Sequence, residues 1–173
     1  MTGLPILRWP DPRLATVCDP VGPDDDLGDL IHAMFDTMYN APGRGLAAPQ
    51  VGVLKRLFVM DCGWKDGTMT PMVCINPEIL RADGMAPGAE GCLSIPGVLA
   101  EVMRPERILL RYRDQHGAVQ TVELDGFEAR CAQHELDHLD GIVTFDRLSP
   151  EARQVVEEAY SISFPANNPA RPA

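Results

Sequence analysis

The sequence predicts a single domain, residues 1–173, that contains both helices and strands. Three observations support this prediction. An amphipathic pattern near the N-terminus indicates one helix, short apolar runs and a hairpin occupy the middle, and a second helix carries paired histidines. A chain of this length can bury a substantial core, and no linker or internal repeat divides it.

Composition and charge limit the classes of function. The formal net charge is −10, which argues against nucleic-acid binding and against binding to an anionic membrane. The cysteine count of five is odd and no C-x-x-C pair is present, so we expect free thiols in a reducing compartment. The N-terminus does not resemble a signal peptide, and no segment is long and apolar enough to span a bilayer. We therefore expect a cytoplasmic protein, acting as a monomer.

The N-terminal part is predicted to form an arm followed by a helix. Residues 1–20 are rich in proline, and we expect an extended arm lying over the core. From Asp25 the apolar residues recur at helical spacing through Tyr39, with aspartates supplying the N-terminal cap. The helix is expected to end before Pro42-Gly43.

Strand-like runs follow in the middle of the chain. They are Leu57–Met60, Met72–Ile75, and a hairpin of Ile108–Tyr112 with Val119–Val122. The polar, glycine-containing stretch Arg81–Ala89 is predicted to be a loop. After Ser149-Pro150 we expect a short helix over residues 150–160, and residues 161–173 are expected to form a disordered tail.

The segment Gln133–His138 contains an H-E-x-x-H pattern. Histidines four residues apart lie on one face of a helix, so both can reach one metal ion, and Glu135 can take a proton from water. Asp125 and Glu128 predict a capping box at the start of this helix, and Gly141 is placed to end it.

A catalytic metal usually has three protein ligands, so a third must come from elsewhere. Thr144 occupies the position where one metallopeptidase pattern has its third histidine, and Glu157 and Glu158 lie in a charged helix expected to be exposed. Cys92, in a Gly- and Pro-containing segment, is the preferred candidate because thiolate and imidazole together suit zinc or iron. Cys131 is the alternative, although helix geometry turns it away from the histidines.

Three segments resemble the motifs of the peptide deformylases: Gly43–Gln50, Glu90–Ser94 and Gln133–His138, in that order. The resemblance covers most of the chain. It implies an α+β fold with small antiparallel sheets packed around a central metal-binding helix, plus an N-terminal helix. It also implies a hydrolase that removes the formyl group from N-formylmethionyl nascent peptides and releases formate.

The resemblance assigns roles to particular residues. Cys92, His134 and His138 would hold one divalent metal, natively ferrous iron and replaceable by zinc, nickel or cobalt. Glu135 would act as general base, and the Gln50 side chain with the Leu93 backbone N–H would stabilise the oxyanion. The residues expected to bind substrate are Gly43, Arg44, Gly45, Glu90 and Arg130.

Some positions depart from the family pattern. Arg44 replaces an aliphatic residue, and we predict that it pairs with Glu90 and narrows or polarises the pocket. Leu99 stands where many members have an arginine that holds the peptide, a task that Arg104 could take over. The C-terminal tail has few basic residues, which puts ribosome docking through it in doubt.

These departures leave two alternatives to an active deformylase. One is a deformylase-like protein that keeps the metal but has lost the normal substrate or has an altered substrate preference, supported only by Arg44 and Leu99. The other is a metallopeptidase or amidase with the same water chemistry, although this alternative leaves the Cys92 segment unexplained.

Overall fold

A computed structural model describes residues 3–165 and combines antiparallel sheets with α-helices. The α-helices in this range are α1 Gly28–Asn40, α2 Gly126–Leu139 and α3 Pro150–Ser163. The strands are β1 Gly45–Ala47, β2 Leu57–Asp61, β3 Pro71–Asp83, β4 Ala86–Cys92, β5 Ile95–Arg104, β6 Arg107–Arg113 and β7 Val119–Asp125. This architecture confirms the predicted α+β class.

The strands form a five-stranded sheet, in the order β1-β2-β3-β6-β7, and a separate β4–β5 pair. Helices cover both faces of the larger sheet, so every residue of β2 is buried. Phe58 and Met60 belong to the core under α2, whereas Leu57 and Val59 belong to the core under α1. This alternation follows from the two-residue period of a strand.

Helix α2 ends as the sequence predicted but begins differently. Gly141 has a left-handed φ of +71°, and its N–H donates to the His138 carbonyl at 3.2 Å, which closes the helix. At the other end, Asp125 is the N-cap residue but its side chain makes no capping hydrogen bond, so the predicted capping box is wrong. The Gly126 N–H instead donates to the Glu106 carbonyl at 3.2 Å.

Helix α1 begins at Gly28, three residues after the predicted start. The Asp25 carboxylate accepts from the Gly22 N–H at 2.8 Å and so stabilises a turn before the helix. Leu27 occupies the N-cap position without a side-chain hydrogen bond, and the Asp26 carboxylate, one residue earlier, accepts from the Gly28 N–H at 3.2 Å, so an aspartate does bind the first N–H of the helix. The helix ends at Asn40, before Pro42, as predicted.

The predicted loop over Arg81–Ala89 is wrong. Strand β3 continues to Asp83 and strand β4 starts at Ala86, with Gly84 at φ +73° in the turn between them. Irregularities in the β3–β6 pairing between Ile75 and Arg81 interrupt the alternation of side chains. Together with the exposure of this segment, they remove the period-two pattern by which a strand is predicted. The β6–β7 hairpin was predicted correctly.

Within residues 3–165, the N-terminal arm and helix α3 both pack near β4 and β5. The Leu7 N–H donates to the Gln50 carbonyl at 2.7 Å and the Trp9 N–H to the Ser94 carbonyl at 2.8 Å, before a 3-10 turn at Pro12–Ala15. Helix α3 extends to Ser163, three residues into the range expected to be disordered, and residues 166–173 lie outside the described part of the chain. In that described part, we find no helix with the length and apolar character to cross a membrane.

Candidate active site

Cys92, His134 and His138 converge at the end of strand β4, with one candidate ligand atom from each within 4.8 Å of the others. The histidines lie one turn apart on α2, with ring centroids separated by 5.0 Å. Cys131, the alternative ligand, points elsewhere, since its thiol contacts the Arg44 carbonyl at 3.7 Å. The structure therefore brings together the three residues that the sequence selected.

These three side chains suit a divalent cation. His134 Nδ1 faces Glu90 Oε1 at 2.9 Å, which leaves its Nε2 free to bind a metal. Burial lowers the pKa of His138, so its imidazole is held neutral, as a metal ligand must be. For His134 burial also acts to lower the pKa, but Cys92 and Glu90 outweigh it and raise the pKa. The same negative groups would favour a bound cation.

Glu90 is the centre of a buried network of ion pairs. Its carboxylate accepts from Arg104 at 2.6 and 2.9 Å and from Arg130 at 2.7 Å, besides facing His134. Burial would raise the pKa of Glu90, but the hydrogen bonds from His134 and Arg104 lower it to about 2. Because these partners occupy the carboxylate, the predicted Arg44–Glu90 pair is wrong.

The two arginines of this network form their hydrogen bonds with other groups of the protein. Arg104 also donates to Asp137 at 2.9 Å and is buried, so it does not hold the peptide in place of the missing arginine. The Arg130 guanidinium, besides contacting Glu90, donates to the Val102 and Ala86 carbonyls at 2.8 and 2.9 Å. Arg130 lines the cavity as expected, but these bonds direct its polar end to strands β4 and β5.

Glu135 lies buried beside the histidines and faces the same cavity. Burial raises the pKa of its carboxyl to about 7, against the opposing effect of His134. Its Oε2 atom is buried without a hydrogen-bond partner in the described residues. Gly45 passes so close that a Cβ there would lie 2.7 Å from Glu135 Oε1. A carboxyl group poised between its two protonation states can both accept and donate a proton.

The Gln50 side chain is oriented by its neighbours. Its Oε1 accepts from the Ala47 N–H at 2.9 Å, so the amide nitrogen must point the other way. That nitrogen donates to Ser94 Oγ at 3.0 Å and lies 3.7 Å from Cys92 Sγ. A neutral donor is therefore fixed beside the candidate metal ligands.

The cavity in front of these groups has a volume of about 460 Å³. Gly43, Leu93 and Leu99 line it together with Arg44 and Phe127. Leu99 is 66% exposed, so this part of the lining offers an apolar side chain to solvent. The cavity thus leads from solvent to Glu135 and to two of the three candidate ligands, Cys92 and His134.

Comparison with known proteins decides the family. The sequence model of the polypeptide deformylase family matches residues 4–154, which is most of the chain. The chain belongs to this family. A deformylase is a hydrolase, and removal of the formyl group is the activity of the family, so the predicted family and enzyme class are confirmed.

Individual deformylases agree closely with this chain. The peptide deformylase of Alkalilimnicola ehrlichii is 50% identical over 155 residues, covering 89% of this chain and 86% of that protein. Peptide deformylase 2 of Xanthomonas campestris is 46% identical over 162 residues, covering 91% and 94%. The crystal structure of the Legionella pneumophila deformylase superposes with a TM-score of 0.88 at 38% identity, covering 97% of this chain and all of that one.

Sequence reasoning assigned no role to two residues that support this deformylase site, Ser94 and Asp137. Ser94 accepts from the Gln50 amide, and Asp137 accepts from Arg104 and Arg147. Asp137 lies three residues after His134, a spacing that places it near the histidine on the helix surface. Ser94, within the Glu90–Ser94 motif, offered no comparable signal, because its contact with Gln50 joins segments 44 residues apart.

Proposed function

We propose that the protein removes the formyl group from N-formylmethionyl polypeptides by metal-dependent hydrolysis, with Cys92, His134 and His138 as the metal ligands. One observation carries the proposal. The three ligand atoms lie within 4.8 Å of one another, and Cys92 and His134 line a cavity that is also lined by Glu135 and Gln50. This constellation matches the needs of a water attack on a carbonyl carbon.

The ligand set indicates which ions are suitable. A thiolate with two imidazoles accepts soft and borderline divalent cations, and we propose ferrous iron, with zinc, nickel or cobalt as replacements. Such a cation would act as a Lewis acid that lowers the pKa of water and polarises the formyl carbonyl. Glu90 supports the site because its carboxylate fixes the orientation of the His134 ring through Nδ1.

Side chains and one backbone N–H of this protein perform the remaining steps. Glu135 accepts a proton from the attacking water and passes it to the amine that leaves, which becomes the new N-terminus. The Gln50 amide nitrogen and the Leu93 backbone N–H donate to the oxygen that gains negative charge. Gly43 and Gly45 leave room for the peptide, because neither presents a side chain toward the cavity.

Formate release from formyl-Met-Ala-Ser tests the proposal. The protein is purified anaerobically, loaded with iron or nickel, and compared with its Glu135→Gln variant. We expect the parent to release formate and the variant to lose two or more orders of magnitude in kcat, with its metal content unchanged. Glu128→Gln is the matched control, because Glu128 is exposed on the same helix and should retain parental activity.

Other results would point elsewhere. Cleavage of the Met-Ala bond without formate release would indicate a peptidase. Absence of both reactions in the metal-loaded parent would contradict hydrolysis at this site. Elemental analysis of the anaerobically purified protein identifies the ion, and iron at one equivalent is the expected result.

Partners and location stay predictions. Formylated nascent peptides are the expected partner, but docking on the ribosome through a basic C-terminal helix has little support, because Glu151, Glu157 and Glu158 lie on α3. All five cysteines are free, which supports our proposal of a reducing, cytoplasmic location. A monomer is expected and can be checked by light scattering.

A further inference from the structure

The mouth of the cavity carries two cationic side chains, Arg44 and Lys65. Arg44 is the one residue with a side chain between Gly43 and Gly45, and its guanidinium carbon lies 5.1 Å from the centre of the Phe127 ring. Its Nη1 donates to the Cys62 carbonyl at 3.3 Å. These contacts fix the guanidinium at the rim, on the side of the cavity formed by α2 and the segment after β2.

The positive charge of this rim is only partly balanced. Asp66 Oδ2 lies 3.8 Å from Arg44 Nη1, which is beyond hydrogen-bond distance, and the Asp66 side chain is 72% exposed. Glu90, which also lines the cavity, is occupied by Arg104, Arg130 and His134. A guanidinium has five N–H donors, and the bond to Cys62 uses one of them.

A bound substrate would have to pass this rim. If the formyl group lies beside Glu135, the residues after methionine leave through the mouth, and an extended peptide advances about 3.3 Å per residue. The first side chains after methionine therefore have to pass the part of the cavity that Arg44 and Lys65 line. The net charge of −10 would otherwise repel an acidic peptide, so any attraction has to come from local positive charge.

We propose that Arg44 and Lys65 form a cationic rim that favours formylated peptides with an acidic side chain at the second or third residue. The inference rests on the proposed function and specifies its substrate class. Lys65 is exposed beside Trp64, whereas the Arg44 side chain is only 29% exposed and held against Phe127. Arg44 should therefore contribute more than Lys65 to the preference for acidic peptides, because its side chain loses less conformational freedom when a peptide binds.

The test compares kcat/KM for formyl-Met-Ala-Ser, formyl-Met-Glu-Ser and formyl-Met-Ala-Glu. For the metal-loaded parent at low ionic strength, we expect at least one acidic peptide to be favoured by roughly three- to ten-fold, mainly through KM. High salt should reduce this ratio, because the groups are partly solvated. Arg44→Met and Lys65→Met should each reduce it, and the double variant should abolish it.

Arg111→Met is the matched control. It removes the same charge from an exposed arginine of β6 that pairs with Glu78 of β3 in the five-stranded sheet, and neither residue lines the cavity. This variant should keep the parental ratio. Equal kcat/KM values for the three peptides in the parent, or the same loss of preference in Arg111→Met, would overturn the proposal and assign Arg44 to the cavity wall alone.

Binding to the Glu135→Gln variant separates this proposal from the proposed function. Calorimetry with the three intact peptides measures Kd without turnover, and at least one acidic peptide should bind several-fold more tightly than formyl-Met-Ala-Ser. If the parent releases no formate, the proposed function fails while the Kd ratio still decides on the rim. If formate is released but all Kd values are equal, only the rim is refuted.

Discussion

At the scale of single residues, the position of Glu135 depends on a glycine opposite it. A Cβ at position 45 would lie 2.7 Å from Glu135 Oε1, 2.9 Å from its Cγ and 3.0 Å from Cys131 Sγ. Gly45→Ala should therefore displace the carboxyl. Since a shift of about 1 Å in a catalytic group can cost roughly 100-fold in rate, we expect a fall of that order in kcat.

Steady-state kinetics and metal analysis check this expectation. The metal content should remain at the parental level, because the three ligands are not touched. Gly28→Ala, in the first turn of α1, is the control, since a Cβ there meets nothing closer than 3.6 Å. Parental kcat in Gly45→Ala would show that the carboxyl tolerates the added methyl group.

The buried arginine at position 104 should be more important for stability than for substrate binding. Arg104→Met leaves Glu90 and Asp137 with fewer cations in a dry environment, where removing one partner of a buried pair costs about 3 kcal/mol. Arg147→Met also removes a cation from Asp137, but the Arg147 side chain is 43% exposed, so we expect about 1 kcal/mol or less. Urea denaturation measures the free energy of unfolding of both variants. Equal decreases would show that removing the buried arginine costs no more than removing the partly exposed one.

Sequence reasoning predicted the groups that react but not the groups that support them. The histidines and Glu135 lie within one helical turn, so their arrangement follows from local geometry. The partner of Glu90 depends on how β4 and β5 pair and how both meet α2. In that arrangement Arg104 faces Ala86 in the register and still reaches Glu90. The local sequence therefore does not indicate which arginine pairs with Glu90.

At the scale of elements, the end of α2 is fixed against the N-terminal arm. Gly141 combines a φ of +71° with a close approach, because a Cβ there would lie 2.7 Å from the Ala15 carbonyl carbon. Gly117, in the β6–β7 turn, has a φ of +85° with nothing within 4 Å. Replacing either glycine would therefore strain the backbone, and at Gly141 the added side chain would also clash with the arm.

Replacing each glycine with alanine separates these effects. Gly117→Ala should cost about 1 kcal/mol, the usual penalty for a left-handed residue with a side chain. Gly141→Ala should cost about 1–3 kcal/mol more, since backbone atoms of the arm have to move. Chemical denaturation gives both values. If the two variants were equally stable, the arm would be free to shift, and its contact would not define the end of α2.

Periodicity predicted elements well where one face is buried and poorly where both faces are exposed. The α1 pattern and strand β6 were found because each has buried and exposed residues at regular spacing, whereas in β7 only Leu124 is buried and the turn before it located the strand. The far half of β3, from Glu78 to Asp83, has no fully buried residue, so its composition resembled that of a loop. Its strand structure comes from pairing with β6, which is a non-local interaction.

At the scale of the whole molecule, the site lies where separate parts of the fold meet. Cys92 comes from the β4–β5 pair, both histidines come from α2, and Gln50 follows β1. The N-terminal arm then bonds to the Gln50 and Ser94 carbonyls. A cation bound to Cys92 and the histidines would therefore join the smaller sheet to the helix, and its binding energy would add to the stability of the folded state.

Metal removal should consequently lower the thermal stability of the protein. At a free metal concentration about 100 times Kd, binding contributes about 2.7 kcal/mol, which corresponds to a Tm increase of roughly 5–10 °C for a chain of this length. Scanning calorimetry before and after chelation, and after adding zinc back, measures this increment. Cys92→Ser should lose most of it, whereas Cys18→Ser should keep it, because Cys18 contacts the Thr16 carbonyl outside the site. A full increment in Cys92→Ser would mean that the metal stabilises α2 through the histidines alone and does not join it to β4.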